Sequence, residues 1–557
     1  MHGTESVAGA GGQPARSDGG PEVSVPIFRT RAFGLLLLAF ALEFFLFDHF
    51  GARRHTNVYP RWNDQVQYLT ESYTAFEYAK AHRFGAGLWQ SLTNLSAQGT
   101  LHDFVALIAF KLSGPSRSAA LALNMLALIA WQAALFAAVA KAGGRPALAF
   151  GAALLPLTLS GPWQNIPGSA YDFRLDHPAM CALGVVAAVA WLSDGFRSRR
   201  AAVFFGVAVG LTLLTRFLTG TYFVGIFLGF LAWILACADR RLRTANLALA
   251  ALVAFLIAAP IFWLNRDAVR EYYWIGHYIG PESAIRNPHM GFGQSLAFVW
   301  GNLFQRHVGF FFLGLVAAGG VALAFSRRGE PARNKASGWV IGALFLLSPA
   351  LVLTLHQQKS EVAVGALVPG FVTLAAALWV FAARRAGDGA IRTTVTVVTV
   401  SVLAFFIRSQ VPPAYSPAAL AETRLVNTLA DEIFTRARAG KIKEPRVAVD
   451  YITDCLDAQV LRVICYERHR VLLDFNMTLP TGIAEPADET VMSRLAGSDF
   501  IFITDDAPAG GFPYDRKLAA MRPQLRAWCD AHLRAVNKFT LFGRRMILYQ
   551  RHEIPFP

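Results

Sequence analysis

Residues 240–264 read RRLRT-ANLALAALVAFLIAAPIFWL: three arginines, then twenty residues without a charge. At 1.5 Å rise per residue, a helix of that length is about 30 Å long, the thickness of a bilayer's hydrocarbon core. Arginines at one end of such a block are the signature of its cytoplasmic side. The same reading extends to ten more apolar blocks: residues 32–47, 118–140, 146–163, 177–192, 201–214, 222–238, 308–325, 338–355, 362–382 and 393–407. A chain in which 54% of residues are hydrophobic and 16% charged fits this class and not a soluble one, where about a quarter are charged. The expectation is an α-helical polytopic membrane protein of about eleven transmembrane helices.

If the first span runs outward, four basic clusters fall inside: Arg197, Arg199 and Arg200; Arg240, Arg241 and Arg243; Arg327, Arg328, Arg333 and Lys335; Arg384, Arg385 and Arg392. The formal charge of +15 is thus spent on orientation, and nucleic-acid binding is excluded as a partner class. Residues 1–28 read as a disordered cytoplasmic tail, Gly-, Ala- and Ser-rich without an apolar period. No small-residue cleavage site follows the first block, which reads as an uncleaved anchor. Residues 29–408 form the membrane domain, with a long outer loop at 51–117. Residues 409–557 form a small soluble α/β domain outside.

Within that loop, Gln67–His82 and Leu101–Leu112 carry helical, partly amphipathic patterns suited to the membrane surface. In the tail, Arg424–Arg438 and Leu518–Val536 read as helices. Arg446–Asp450 and Phe500–Thr504 read as buried strands, and Lys538–Gln550 as a hairpin around Gly543. Five cysteines are too few for a disulfide framework; Cys455 with Cys465 is the pair an oxidising compartment would join.

Ionisable residues at the outer ends of spans are the candidates for chemistry, because charge beside a bilayer must be paired or used. Asp64 lies about 16 residues past the first span, with Tyr68, Tyr73 and Tyr78 following at helical spacing. It suits a general base for an acceptor hydroxyl or amine, or simply a helix cap. Asp172, Arg174, Asp176 and His177 cluster at the mouth of the fourth span. Asp172 and Asp176 are four apart and share a face if the segment is helical, an arrangement for a sugar or a divalent cation. The local alternative pairs Asp172 with Arg174 and leaves Asp176 as a cap. Arg216 and Lys359 sit at outer span ends, where the charge rule disfavours cations; they suit a phosphate, or they snorkel. Walker, His-Glu-x-x-His and Gly-x-Ser-x-Gly patterns are absent from the sequence.

Taken in order, these pieces resemble the GT-C superfamily of membrane glycosyltransferases, in the branch of protein O-mannosyltransferases and lipid A aminoarabinose transferase. The family's acidic motif in the first outer loop is similar to Asp64-Gln65, and its surface helix ending in Gly to Leu101–Gly114. Its Arg-x-Asp element is similar to Arg174-Leu175-Asp176. Its Gly-rich block ending in a cation resembles Gly206–Arg216, and its Lys before an apolar stretch ending in Pro resembles Lys359–Pro369. The likeness covers residues 33–407. It departs where the acidic pair has become Asp-Gln and where a His-Pro-Pro-Leu-like stretch appears only as His102-Asp103.

The resemblance implies a polyprenyl-phosphate-linked sugar as donor and a lipid, polysaccharide or protein as acceptor, joined with inversion on the outer face. Asp64 would be the base, and Arg216 and Lys359 would hold the lipid phosphate. Asp172, Arg174, Asp176, Tyr68 and His102 would contact substrates. No organic cofactor is implied, and a divalent cation is compatible. The Ala- and Arg-rich composition suits a GC-rich bacterium, hence its inner membrane. Two rival classes are a secondary transporter and a non-catalytic assembly protein. Charges at the outer surface rather than mid-membrane, and a soluble tail of about 150 residues, favour the enzyme.

Overall fold

The computed structural model describes residues 31–61, 63–143, 145–280, 283–284, 287–326, 337–410, 415–442, 444–450, 456, 458–473, 485–504, 513–541 and 543–552. The expected tail at 1–28 and Cys455 lie outside the described residues; Cys465 is a buried free thiol.

Every apolar block of the sequence is largely helical. Helix α1 (Arg31–Thr56) leads into the long loop, which holds α2 (Asn63–Ala81), α3 (Phe84–Thr93) and α4 (Leu101–Ser113). Helices α5 (Arg117–Gly143), α6 (Pro146–Thr158), α7 (Asp176–Leu192), α8 (Arg199–Thr215), α9 (Thr219–Leu235) and α10 (Arg240–Ile279) follow. Then come α11 (Phe292–Val308) and α12 (Phe310–Phe325), bent by 80° about Gly309, whose φ of +78° favours glycine. Helices α13 (Ser337–Leu355), α14 (Ala363–Ala382) and α15 (Asp388–Gln410) complete the bundle.

Among the described residues six helices, α1, α5, α10, α13, α14 and α15, are long and apolar enough to cross a membrane alone. The bent pair makes seven if counted as one span. Helices α7, α8 and α9 have 17 residues each, about 25 Å of helix, short of the hydrocarbon core. Length and composition therefore mark a multi-pass membrane protein, with six or seven helices of crossing length beside the eleven expected spans.

Glycines set how closely the helices pack, as at membrane helix interfaces generally. A Cβ on Gly206 of α8 would stand 2.4 Å from the Ala250 carbonyl of α10, and one on Gly370 of α14 would stand 2.3 Å from the Leu346 nitrogen of α13. In the core, Trp131 of α5 lies flat on Gly184 of α7.

The tail is an α/β unit: α16 (Pro417–Ala439), β1 (Val447–Val449), α17 (Ala458–His469), α18 (Asp488–Gly497), β2 (Phe500–Thr504), α19 (Pro513–His532), β3 (Leu533–Leu541) and β4 (Arg544–Arg551). Strand order is β1-β2-β4-β3, with β1 and β2 parallel and the rest antiparallel. Alternate residues of β2 serve two cores. Ile501 and Ile503 pack with Leu495, Leu518 and Leu525 of α18 and α19, while Phe500 and Phe502 join the larger core with α16 and α17. A strand covered on both faces reads as a continuous apolar run, which is why β2 was legible.

Helix α17 docks on α2. Glu467 of α17 accepts from Tyr73 (2.7 Å) and Arg117 (3.1 Å), and Tyr466 donates to Glu77 (2.7 Å). Arg117 also donates to the carbonyls of Thr56 and Val58, at 2.7 Å each. The tail thus fixes the helix that carries Asp64.

Candidate functional site

Asp64 stands in the first turn of α2 with Tyr68 and Glu71 above it on the same face. Its carboxylate forms an ion pair with Arg174 at 2.9 Å, and the Nε of Arg174 lies 2.6 Å from Asp172. One guanidinium therefore bridges a half-exposed carboxylate, Asp64 (55% exposed), and a fully buried one, Asp172 (0%). Three further bonds hold the 164–175 loop that presents them. Gly168 N–H donates to Asp172 (2.7 Å), Asn124 donates to the Asp172 carbonyl (2.9 Å), and Phe173 N–H donates to Gln65 (3.1 Å). Gln65, where the resembled family carries an acid, ties the start of α2 to this loop. Burial pushes the Asp172 carboxyl up to about 7, against the pull of Arg174.

Helix α7 begins at Asp176, so Asp172 lies in the loop and the two aspartates do not share a helical face. The first holds Arg174; the second pairs with Arg216 at the end of α8 instead of capping its own helix. With each carboxylate committed to a different arginine, the pair does not fit a shared cation. Among the described residues no group of three or more His, Cys, Asp and Glu is placed to hold a metal.

Arg216 is positioned by a backbone crossing. Thr100 N–H donates to the Leu214 carbonyl (2.9 Å) and Phe217 N–H to that of Gln98 (2.7 Å). The strands approach so closely that a Cβ on Gly99 would lie 2.3 Å from the Thr215 oxygen. The Tyr68 hydroxyl donates to Gln98 at 2.6 Å. It feels the charges of both Arg216 and Asp64, which sets the two ion pairs around one tyrosine. Burial, outweighing the pull of Arg216, holds that phenol well above its ordinary range, so it stays neutral.

His102 is buried, 3.9 Å from the Phe173 ring and 5.7 Å from that of Tyr68, and burial pulls it down to about 3. Its imidazole is neutral. Lys359 donates to the carbonyls of Leu353 (3.1 Å), Thr354 (3.0 Å) and His356 (2.5 Å), closing the end of α13. Val362, three residues on, lies beside Asp176 and Arg216. The Lys359 loop therefore adjoins the site while its ammonium serves the helix end.

Two partners were not legible. Arg306, at the end of α11, is near enough to Arg174 for their charges to interact, and it pairs with Glu361. The test that singles out Arg216 and Lys359, a cation on the outer side of a span, would also single out Arg306. Glu361 is 55 positions away and carries no such signal.

An apolar groove of about 920 Å³ runs between α4, α5, α7 and α8. His102 and Thr215 stand at one end, Leu192 and Ala201 at the other, with Leu123 and Leu211 along the walls. Its upper end is one residue from Arg216.

The fold has solved counterparts. ArnT from Cupriavidus metallidurans superposes with a TM-score of 0.58 in the apo state (15% identity, 93% of this chain, 98% of that one). Bound to undecaprenyl phosphate it gives 0.57 (13% identity, 93% and 97%). The chain has the GT-C fold. The archaeal oligosaccharyltransferase AglB from Archaeoglobus fulgidus, in complex with an inhibitory peptide and a dolichol-phosphate, aligns at 0.51 (11% identity, 94% and 75%). No protein-family model and no curated protein sequence matches the chain, so the GT-C likeness is one of fold.

Proposed function

We propose that the protein is a glycosyltransferase that moves a sugar from a polyprenyl-phosphate carrier to an acceptor on the outer face of a bacterial inner membrane. The carrying observation is the Asp176–Arg216 pair at the mouth of the apolar groove, with Asp64 and Arg174 beside it. A polyprenyl tail gains little by moving from lipid into a groove as apolar as lipid. The groove therefore orients the donor, and the cation at its mouth supplies the affinity. The solved relatives that hold undecaprenyl phosphate and dolichol-phosphate share this fold, which supports the same carrier class here.

In this reading Arg174, anchored on Asp172, aims the Asp64 carboxylate. The acceptor's O–H or N–H gives its proton to Asp64 as its lone pair attacks the anomeric carbon from the face opposite the phosphate. The carbon–oxygen bond to phosphate breaks, its electron pair stays on the phosphate oxygen, and Arg216 stabilises that charge, with Arg306 and Lys359 adding to the local field. The configuration inverts. His102 and Tyr68 shape the space between groove and base. The topology that goes with this is eleven spans in residues 29–408, the amino terminus in the cytoplasm, and loop 51–117 and domain 409–557 outside.

Binding of undecaprenyl phosphate to the full chain in nanodiscs tests the phosphate role. Arg216→Ala weakens it at least tenfold, whereas Asp64→Asn leaves it within twofold. Equal affinity in wild type and Arg216→Ala contradicts the assignment.

A further inference from the structure

Beside the groove, with Asp103 of α4 in its wall where the neighbouring His102 lines the groove, lies a second, polar pocket that the reaction above does not use. It has a volume of about 260 Å³ between α2, α3, α4 and α17 of the tail domain. Thr70, Glu71, Gln90, Ser91, Asp103 and Arg462 line it. Thr70 is 8% exposed, yet its hydroxyl has no hydrogen-bond partner, and neither has the buried carbonyl oxygen of the Gln90 side chain. Buried polar atoms left unpaired in a native fold call for an occupant that pairs them. Asp103 accepts from Ser72 at 2.6 Å and Glu71 from Gln67 at 2.9 Å, which leaves each carboxylate with acceptor capacity toward the cavity. The hydroxyl of Ser91 is spent as a donor on the Gly87 carbonyl (2.9 Å) and is free to accept.

We propose that this pocket binds a sugar ring of the acceptor, an inference that rests on the transfer reading. Its volume is several times the ~30 Å³ share of a water and below the ~300 Å³ at which drug-sized pockets begin, so it suits one ring. Burial and the neighbouring charge of Glu71 push the Asp103 carboxyl up to about 8, so this acid keeps a proton, while Glu71 and two amide or hydroxyl acceptors call for O–H donors. The Thr70 hydroxyl and the proton held by Asp103 offer donors in return, and a polyol both gives and receives. A bare cation would leave most of the space empty and would face the Arg462 guanidinium. Place in the fold assigns the ring to the acceptor. Glu71 is seven residues from Asp64 on one helix, about 10 Å along its axis, so the ring lies about one sugar unit beyond the group that meets the base. The fourth wall comes from the tail domain, which gives that domain a part in choosing the acceptor.

The test is glycan binding by the full chain in nanodiscs on an array of oligosaccharides, with undecaprenyl phosphate binding measured on the same samples. Wild type retains a subset of glycans. Thr70→Val and Glu71→Gln weaken that binding at least tenfold while undecaprenyl phosphate binding stays within twofold. Binding of no glycan, or of the same glycans with unchanged affinity in both variants, overturns the proposal. So does terbium luminescence that Glu71→Gln abolishes in a protein that retains no glycan, which would make the pocket a cation site. Glycan binding lost in the two variants, with no undecaprenyl phosphate bound by wild type, supports the pocket and removes the transfer reading.

Discussion

Arg174→Met removes the charge that bridges Asp64 and Asp172 while keeping most of the side-chain volume, and its cost follows from the burial of Asp172. The Asp172 carboxyl titrates at about 7 in the fold against an ordinary 3.8, because burial outweighs the guanidinium. The native state holds this proton more tightly than the unfolded state. Wild-type stability therefore falls as pH rises from about 4 to about 7 and is level above that, as far as this group is concerned. Without Arg174 the carboxyl titrates higher still, so the fall continues past pH 7 at about 1.4 kcal/mol per pH unit. At pH 6 the variant loses only hydrogen bonds, about 1 kcal/mol. At pH 8.5 the loss grows by about 2 kcal/mol, toward the 3–5 kcal/mol typical of a broken buried pair. Thermal melts of the full chain in nanodiscs between pH 6 and pH 8.5 read the difference, and adding Asp172→Asn removes its pH-dependent part. A penalty that stays constant across this range, or that Asp172→Asn does not relieve, refutes the reasoning.

Two further outcomes are expected. Ala208→Trp places an indole in the groove between α5 and α8, so use of a long polyprenyl donor falls at least tenfold while a two-isoprene analogue is used as before; equal loss on both would separate the groove from the lipid. In the tail domain, burial pushes Asp450 up to about 6 despite its bonds from Thr504 and Arg522. Its contribution therefore lowers stability as pH rises from about 4 to about 6, and a melt series in which Asp450→Asn keeps the wild-type slope would contradict that sign.

Much of the helix layout and the sheet could be read directly. Apolar blocks give helices because a membrane segment must satisfy its own backbone, and β2 declares itself because both its faces are covered. Helix α3 has no counterpart among the helices expected from the sequence. Gly87 is there for contact, since a Cβ on it would lie 2.3 Å from the Cβ of Ala79 in α2. The expected helix 518–536 ends at His532, because Leu533–Leu541 pair with β4 and the sheet overrides the helical spacing of Leu533 and Val536.

The members of the candidate site stand out in the sequence where charge meets a bilayer. Asp64, Tyr68, Asp172, Arg174, Asp176 and Arg216 are gathered in one place, with His102 at the groove mouth. The pairing was not legible. Asp172 and Asp176 looked like one acidic face, but the helix starts at the second of them, and their partners Arg174 and Arg216 sit in different elements. Lys359 carried the right charge, and the open end of α13 claims its ammonium.

Asp64 separates chemistry from architecture, because its ion pair is half exposed and worth no more than about 1 kcal/mol. Purified protein incubated with a panel of polyprenyl-phosphate sugars and candidate acceptors, read by release of the polyprenyl phosphate and by glycosylated product, should turn over at least one donor. Asp64→Asn should lose about 10²-fold or more of that rate at an almost unchanged melting temperature. A variant that transfers sugar at the wild-type rate would remove Asp64 as the base.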